Sequence, residues 1–125
     1  MQIIVQENCE NAPRKAILRD LIIAIVEKDT QTILEYVDEK MVHVEIGKAE
    51  VHGVEGFLER IEQVIAGRVL ELEILHIITH GKFASVNGIV ETIDRQEFHF
   101  SIFFEFKGAA RTAKVKEMTS YIIFV

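Results

Sequence analysis

From Pro13 to about Lys28, the apolar residues Ile17, Leu18, Leu21, Ile22, Ile25 and Val26 recur three and four apart. That spacing lays one stripe along an amphipathic helix. Pro13 suits its first turn, where a missing N–H costs nothing because that N–H has no partner in any case. Asp29 or Thr30 can cap a second, short helix that turns Ile33, Leu34 and Val37 inward. The period then drops to two. Met41–Ile46 reads as a strand with Val42, Val44 and Ile46 on the core face and His43 and Glu45 on the other, and Gly47 lets the chain turn. A third helix, about Val54–Ala66, buries Phe57, Ile61, Val64 and Ile65, and Gly67 stops it.

After Gly67 the pattern stays strand-like. It predicts four long strands near Val69–Thr79, Phe83–Ile93, Glu97–Phe106 and Thr112–Val125. The connections His80-Gly81-Lys82, Asp94-Arg95-Gln96 and Lys107–Arg111 are too short for parallel crossovers, so these strands form antiparallel hairpins. Phe98, Phe100, Ile102, Phe104 and Phe106 alternate with Glu97, His99, Ser101, Phe103 and Glu105, which gives the sheet one strongly apolar face. Helices followed by a strand meander make an α+β fold, with the helices covering one face of a bent sheet. The opposite face carries Val115, Thr119, Tyr121, Ile123 and Phe103, a patch that implies a homodimer through the outer sheet face.

Composition narrows the function classes. At 125 residues the chain is one domain, 1–125, large enough for a core without staples. Twenty acidic against fourteen basic residues, a net charge of −6, argue against nucleic acid, whose phosphates demand a cationic surface. No apolar run approaches the roughly 20 residues that span a bilayer, and the first residues carry no basic, apolar leader pattern. The one cysteine, Cys9, requires no oxidising compartment, so a cytoplasmic location without membrane association is expected. Cys9 also lacks a fixed histidine partner and has no motif of a nucleophile.

Several local words, in order, resemble the nuclear transport factor 2-like superfamily, which includes ketosteroid isomerase and the SnoaL-like polyketide cyclases. They are Glu27-Lys28-Asp29, Tyr36-Val37-Asp38-Glu39, Gly47, Val51-His52-Gly53-Val54-Glu55-Gly56-Phe57, Gly81, and the closing Lys114–Tyr121. The resemblance spans nearly the whole chain. It implies a cone of three N-terminal helices packed on a curved, mostly antiparallel sheet, with an apolar pocket inside and a dimeric state. It does not imply one activity.

The isomerase positions can be tested in turn. Its helix tyrosine falls on Leu21, or on Asp20 without a gap, its sheet acid on Ile102, and its base on Val44 or Glu45 depending on the anchor. Leucine and isoleucine carry no proton to give, so ketosteroid isomerase activity is rejected, and Ile102 also counts against SnoaL-type cyclisation. Following the family's pocket, the expected wall is Leu21, Val44, Phe57, Phe100, Ile102, Phe104, Met118, Ser120 and Ile122, with Asn87 if it faces inward.

His43 and Glu45 share a strand face about 7 Å apart and could act as a general-base pair, although the alternation assigns them to solvent. His76 and His80 lie roughly 13 Å apart on one face, and no metal-ligand spacing occurs, so no metal or cofactor is expected. His52 reads as a support for the start of the third helix. The expected function is binding of a small apolar molecule. The alternatives are a SnoaL-like isomerase, cyclase or dehydratase using His43 and Glu45, and a dimeric assembly module with a filled core.

Overall fold

A computed structural model describes residues 1–125. The elements run β1 (Gln2–Val5), α1 (Pro13–Glu27), α2 (Thr30–Tyr36), β2 (Val37–Glu45), β3 (Ala49–His52), α3 (Val54–Val64), β4 (Val69–His80), β5 (Phe83–Thr92), β6 (Glu97–Phe106) and β7 (Val115–Phe124). Helix α1 starts on Pro13 and buries Leu18, Leu21, Ile22, Ala24, Ile25 and Val26. It ends where Lys28 adopts a left-handed φ of 58° and its N–H closes onto the carbonyls of Ala24 and Ile25. Asp29 then caps α2, accepting from the Thr32 N–H at 3.2 Å and the Thr32 hydroxyl at 2.7 Å. Of the residues expected to face inward here, Ile33 is buried, Leu34 is exposed, and Val37 is buried but already belongs to β2.

All seven strands form one sheet in the order β1-β4-β5-β6-β7-β2-β3. The expected meander β4 to β7 is antiparallel throughout. Two short strands extend the expected set. β1 lies parallel to β4, and β3 pairs antiparallel with β2, which itself runs parallel to β7. Neither short strand announces itself in the sequence, because each has only four residues and lies at a sheet edge, with three of the four exposed in β3 and two in β1.

The β4–β5 pair shifts register between Ile74 and His76, a bulge that bends the sheet. Opposite it, Gly88 leaves no room for a side chain: a Cβ there would strike the Glu73 backbone carbonyl and the Phe100 ring. A second shift, between Glu105 and Phe106, corrects the expected outer face. It skips Lys116 on β7 and sets Val115 opposite Phe106, which turns Val115 into the core, so Val115 is not a surface residue. Thr119, Tyr121, Ile123 and Phe103 remain outside.

The three helices pack on the other face. Helix α1 crosses β4 and α3 crosses β2, and the buried side chains between these layers form one continuous core. No helix is long and apolar enough to cross a membrane.

Candidate functional site

Between α1, α3 and the concave side of β5, β6 and β7 lies a cavity of about 60 Å³. Thirteen of its sixteen lining residues are hydrophobic, and its only polar ones are His43, Arg60 and Ser120. Helix α1 supplies Ile22, Ile25 and Val26; α3 supplies Phe57 and Ile61; the sheet supplies Phe100, Ile102, Met118, Ser120 and Ile122. The alternation of β6 and β7 sends every second side chain to this face, so Phe100, Ile102, Met118, Ser120 and Ile122 lie on the wall as expected, and Phe57 joins them from the buried stripe of α3.

Four expected wall residues lie elsewhere. Leu21 is buried one helical step away from the cavity surface, in the core proper, and Phe104 is likewise fully enclosed in the core. Asn87 sits on the outer face, its amide oxygen 3.0 Å from His76 Nδ1. Val44 is also on the outer face, because the expected orientation of β2 is reversed. His43 and Glu45 are each only 5% exposed, whereas Ile46, expected inside, is 49% exposed.

The reversal follows from the residues that anchor the strand. Val37 and Met41 are buried at 1% and 0%, and they share their parity with His43 and Glu45. Two polar side chains can follow them inward because each finds a partner there. His43 Nε2 lies 2.8 Å from Ser120 Oγ on the neighbouring β7, and the Phe57 ring packs edge-on against the imidazole at 5.0 Å. Glu45 is gripped by the Arg60 guanidinium, whose Nε and Nη2 donate to its two oxygens at 2.6 and 3.1 Å. Gln63 accepts from Arg60 Nη1 at 2.9 Å and steadies the arginine one turn along α3.

The electrostatics of the pair and the dyad differ. Burial pushes His43 below its ordinary imidazole value; the Glu45 carboxylate pulls it back up and Arg60 adds to the fall. His43 is therefore neutral at pH 7. The hydrogen bond from Arg60 to Glu45 holds the guanidinium above its usual value. His43 Nδ1 is buried and has no hydrogen-bond partner in the protein.

No family model matches the chain, and no curated protein matches its sequence. Solved structures do match its shape. A nuclear transport factor 2-like protein of unknown function from Burkholderia xenovorans superposes with a TM-score of 0.73 at 13% identity, over 92% of this chain and 86% of that one. The fold is nuclear transport factor 2-like. A proposed SnoaL-like polyketide cyclase from Shewanella denitrificans gives a TM-score of 0.69 at 16% identity, covering 91% of this chain and 92% of its own. An epoxide hydrolase of the LEH-like type from M. tuberculosis gives 0.69 at 14% identity, over 94% and 83%.

Within the nuclear transport factor 2-like fold, both apolar replacements noted in the sequence point inward: Leu21 is 0% and Ile102 8% exposed. Arg60 was not foreseen. Its signal is a charged residue three residues after Phe57 and four before Val64, next to the buried stripe of α3. The remaining histidines sit apart from the cavity. His52 belongs to β3 and bonds Glu50 at 2.8 Å rather than supporting α3, whose start is set by Gly53 at φ 91°. His99 pairs with Glu97 at 3.1 Å.

Proposed function

We propose that the chain binds a small, mostly apolar molecule in this cavity, with the polar head of the ligand at the His43–Ser120 end. The observation that carries the reading is a cavity walled almost wholly by hydrocarbon, in which two of the three polar lining residues, His43 and Ser120, are hydrogen-bonded to each other. Such a wall offers apolar area for affinity and a few fixed polar atoms for orientation. About 60 Å³ corresponds to about four to six water-sized groups.

Native mass spectrometry of the purified protein, followed by denaturation of the same sample, tests this. The expected result is extra mass that leaves on denaturation and is absent from Ile102→Phe, which fills the cavity. A wild-type protein that carries no such mass and shows no shifts of the Ile22, Ile25 and Ile61 methyl signals against apolar fragments overturns the reading.

One observation favours a catalytic alternative of the SnoaL-like kind: His43 lines the cavity as a neutral imidazole able to take a proton. The two-residue version with Glu45 is weakened because the Glu45 oxygens are held by Arg60. His43 with Ser120 is the better pair for that alternative.

The outer sheet face supports a homodimer. Phe83 and Phe103 stack at 5.7 Å there, and Tyr121 and Ile123 stand beside them in the open. Light scattering should give twice the 14.3 kDa chain mass, and Phe103→Lys with Ile123→Lys should halve it. Half-buried, unpaired Cys9 fits a cytoplasmic setting.

A further inference from the structure

We infer that the ligand is uncharged and offers a hydrogen-bond acceptor, received by the Nδ1–H of His43. This rests on the binding reading above and adds the chemical class of what is bound.

The argument is an accounting of protons. Ser120 is 3% exposed and its hydroxyl has one partner, His43 Nε2. If Nε2 carried the proton, it would donate to Ser120 Oγ. The serine proton would then have no acceptor, and Nδ1 would be a second unmet atom. If instead the serine hydroxyl donates to Nε2, the proton of the neutral imidazole sits on Nδ1. Only that one donor is then unmet. Buried donors without partners are costly, so the arrangement with a single orphan is favoured. A buried N–H of this kind gains most from an acceptor such as a carbonyl, ether or nitrile. Nδ1 is enclosed in the unliganded protein, so receiving an acceptor requires a small rotation of the imidazole toward the cavity that His43 lines, of the kind binding-site side chains commonly make.

Charge supports the second half of the inference. Arg60 is the one cationic lining residue, and Glu45 already neutralises it with both oxygens. A carboxylate or ammonium on the ligand would enter a hydrocarbon-walled space with no counter-charge to meet it.

The test uses three six-membered-ring probes of related shape: cyclohexanone, methylenecyclohexane and cyclohexanecarboxylate. Their dissociation constants are measured by methyl NMR at neutral pH on wild type and on His43→Phe. The imidazole nitrogen spectrum of the wild type is recorded with and without cyclohexanone. We expect the His43→Phe change to weaken cyclohexanone by about tenfold or more, and methylenecyclohexane hardly at all. We expect the wild-type spectrum to show the proton on Nδ1, with that signal shifting on cyclohexanone binding. Cyclohexanecarboxylate should not bind.

Equal weakening of the two neutral probes, or a proton found on Nε2, overturns the acceptor assignment while the pocket reading stands. Carboxylate binding as tight as that of the ketone overturns the neutrality. If neither neutral probe binds wild type, the pocket reading fails and takes this inference with it. The wild-type nitrogen spectrum decides the tautomer even if His43→Phe does not fold.

Discussion

Strands β6 and β2 both alternate, yet alternation points to the core in one and away from it in the other. On β6 the apolar set Phe98, Phe100, Ile102, Phe104 and Phe106 is buried, as its hydrophobicity demands. On β2 Val42 and Val44 face outward, and Ile46 just beyond the strand is exposed, while Met41, His43 and Glu45 face inward. The difference is in what each strand meets. The inner face of β6 carries five large apolar side chains and no polar one, so summed hydrophobic area decides the register. The β2 register is held at one end by Val37 and Met41, and the polar residues that follow are accepted because Ser120 and Arg60 lie where they arrive. Alternation thus reports the inner face reliably only where no polar partner waits inside.

The largest effect should come from putting charge on the β6 face. Ile102→Asp buries a carboxylate in a hydrocarbon wall without a partner and should cost about 3–5 kcal/mol in chemical denaturation. An unchanged midpoint would mean that Ile102 faces water and that the β6 wall is not the dry face its burial describes.

Next is the partner that makes β2 tolerable. Arg60→Met strips the counter-charge from buried Glu45 and should cost about 2–3 kcal/mol, less than a fully enclosed pair because Arg60 is partly exposed. Adding Glu45→Met to that variant should restore most of the loss, since an apolar pair of similar size removes the orphan. Failure of the second change to rescue would show that the carboxylate is already hydrated.

A pH titration sharpens the same contrast. The His43 value lies below its unfolded value of about 6.5, so the unfolded chain binds the extra proton first. Its stability contribution is complete above about pH 6.5 and is lost as pH falls from there toward the folded value. The thermal midpoint should therefore fall below pH 6.5 in wild type, and this part of the fall should vanish in His43→Phe. A separate acid loss belongs to carboxylates held low by their partners: Glu7 by the Ile77 N–H, Asp38 by Lys107 and Glu105 by Lys82. That loss sets in only below the usual carboxylate range of about 4 to 4.5, so the onset of the fall just below pH 6.5 belongs to His43.

The smallest effect belongs to the outer face of β6. Phe103→Ser should change the stability of the isolated chain by about 0.5 kcal/mol or less, measured at concentrations where the chain is monomeric. A large loss there would show that the two faces of β6 are less distinct than their exposures indicate.

Much of the architecture was readable before any coordinates. Pro13 and Asp29 mark helix starts through local backbone chemistry, and the phenylalanine stripe identifies the covered face of β6 through area alone, whereas α3 ends at Val64, capped by Ile65, before reaching Gly67. Six of the ten expected wall residues line the cavity for the same reason, since they alternate on β6 and β7 or share the buried stripe of α3. Asn87 and Val44 were misplaced because a single residue's polarity does not tell which side of a sheet it occupies. Val115 was misplaced because a bulge at Lys116 changes the parity of β7, and nothing local in Val115–Glu117 announces one.

The sequence by itself determined the order of helices and strands, the antiparallel meander and the hydrocarbon character of the inner sheet face. These follow from periodicity, turn length and apolar area, all of which act between near neighbours in the chain. Only the tertiary structure decided that His43 and Glu45 turn inward. Their partners lie 77 and 15 residues away in the chain, and a polar side chain is stable inside only where such a partner has been brought to it.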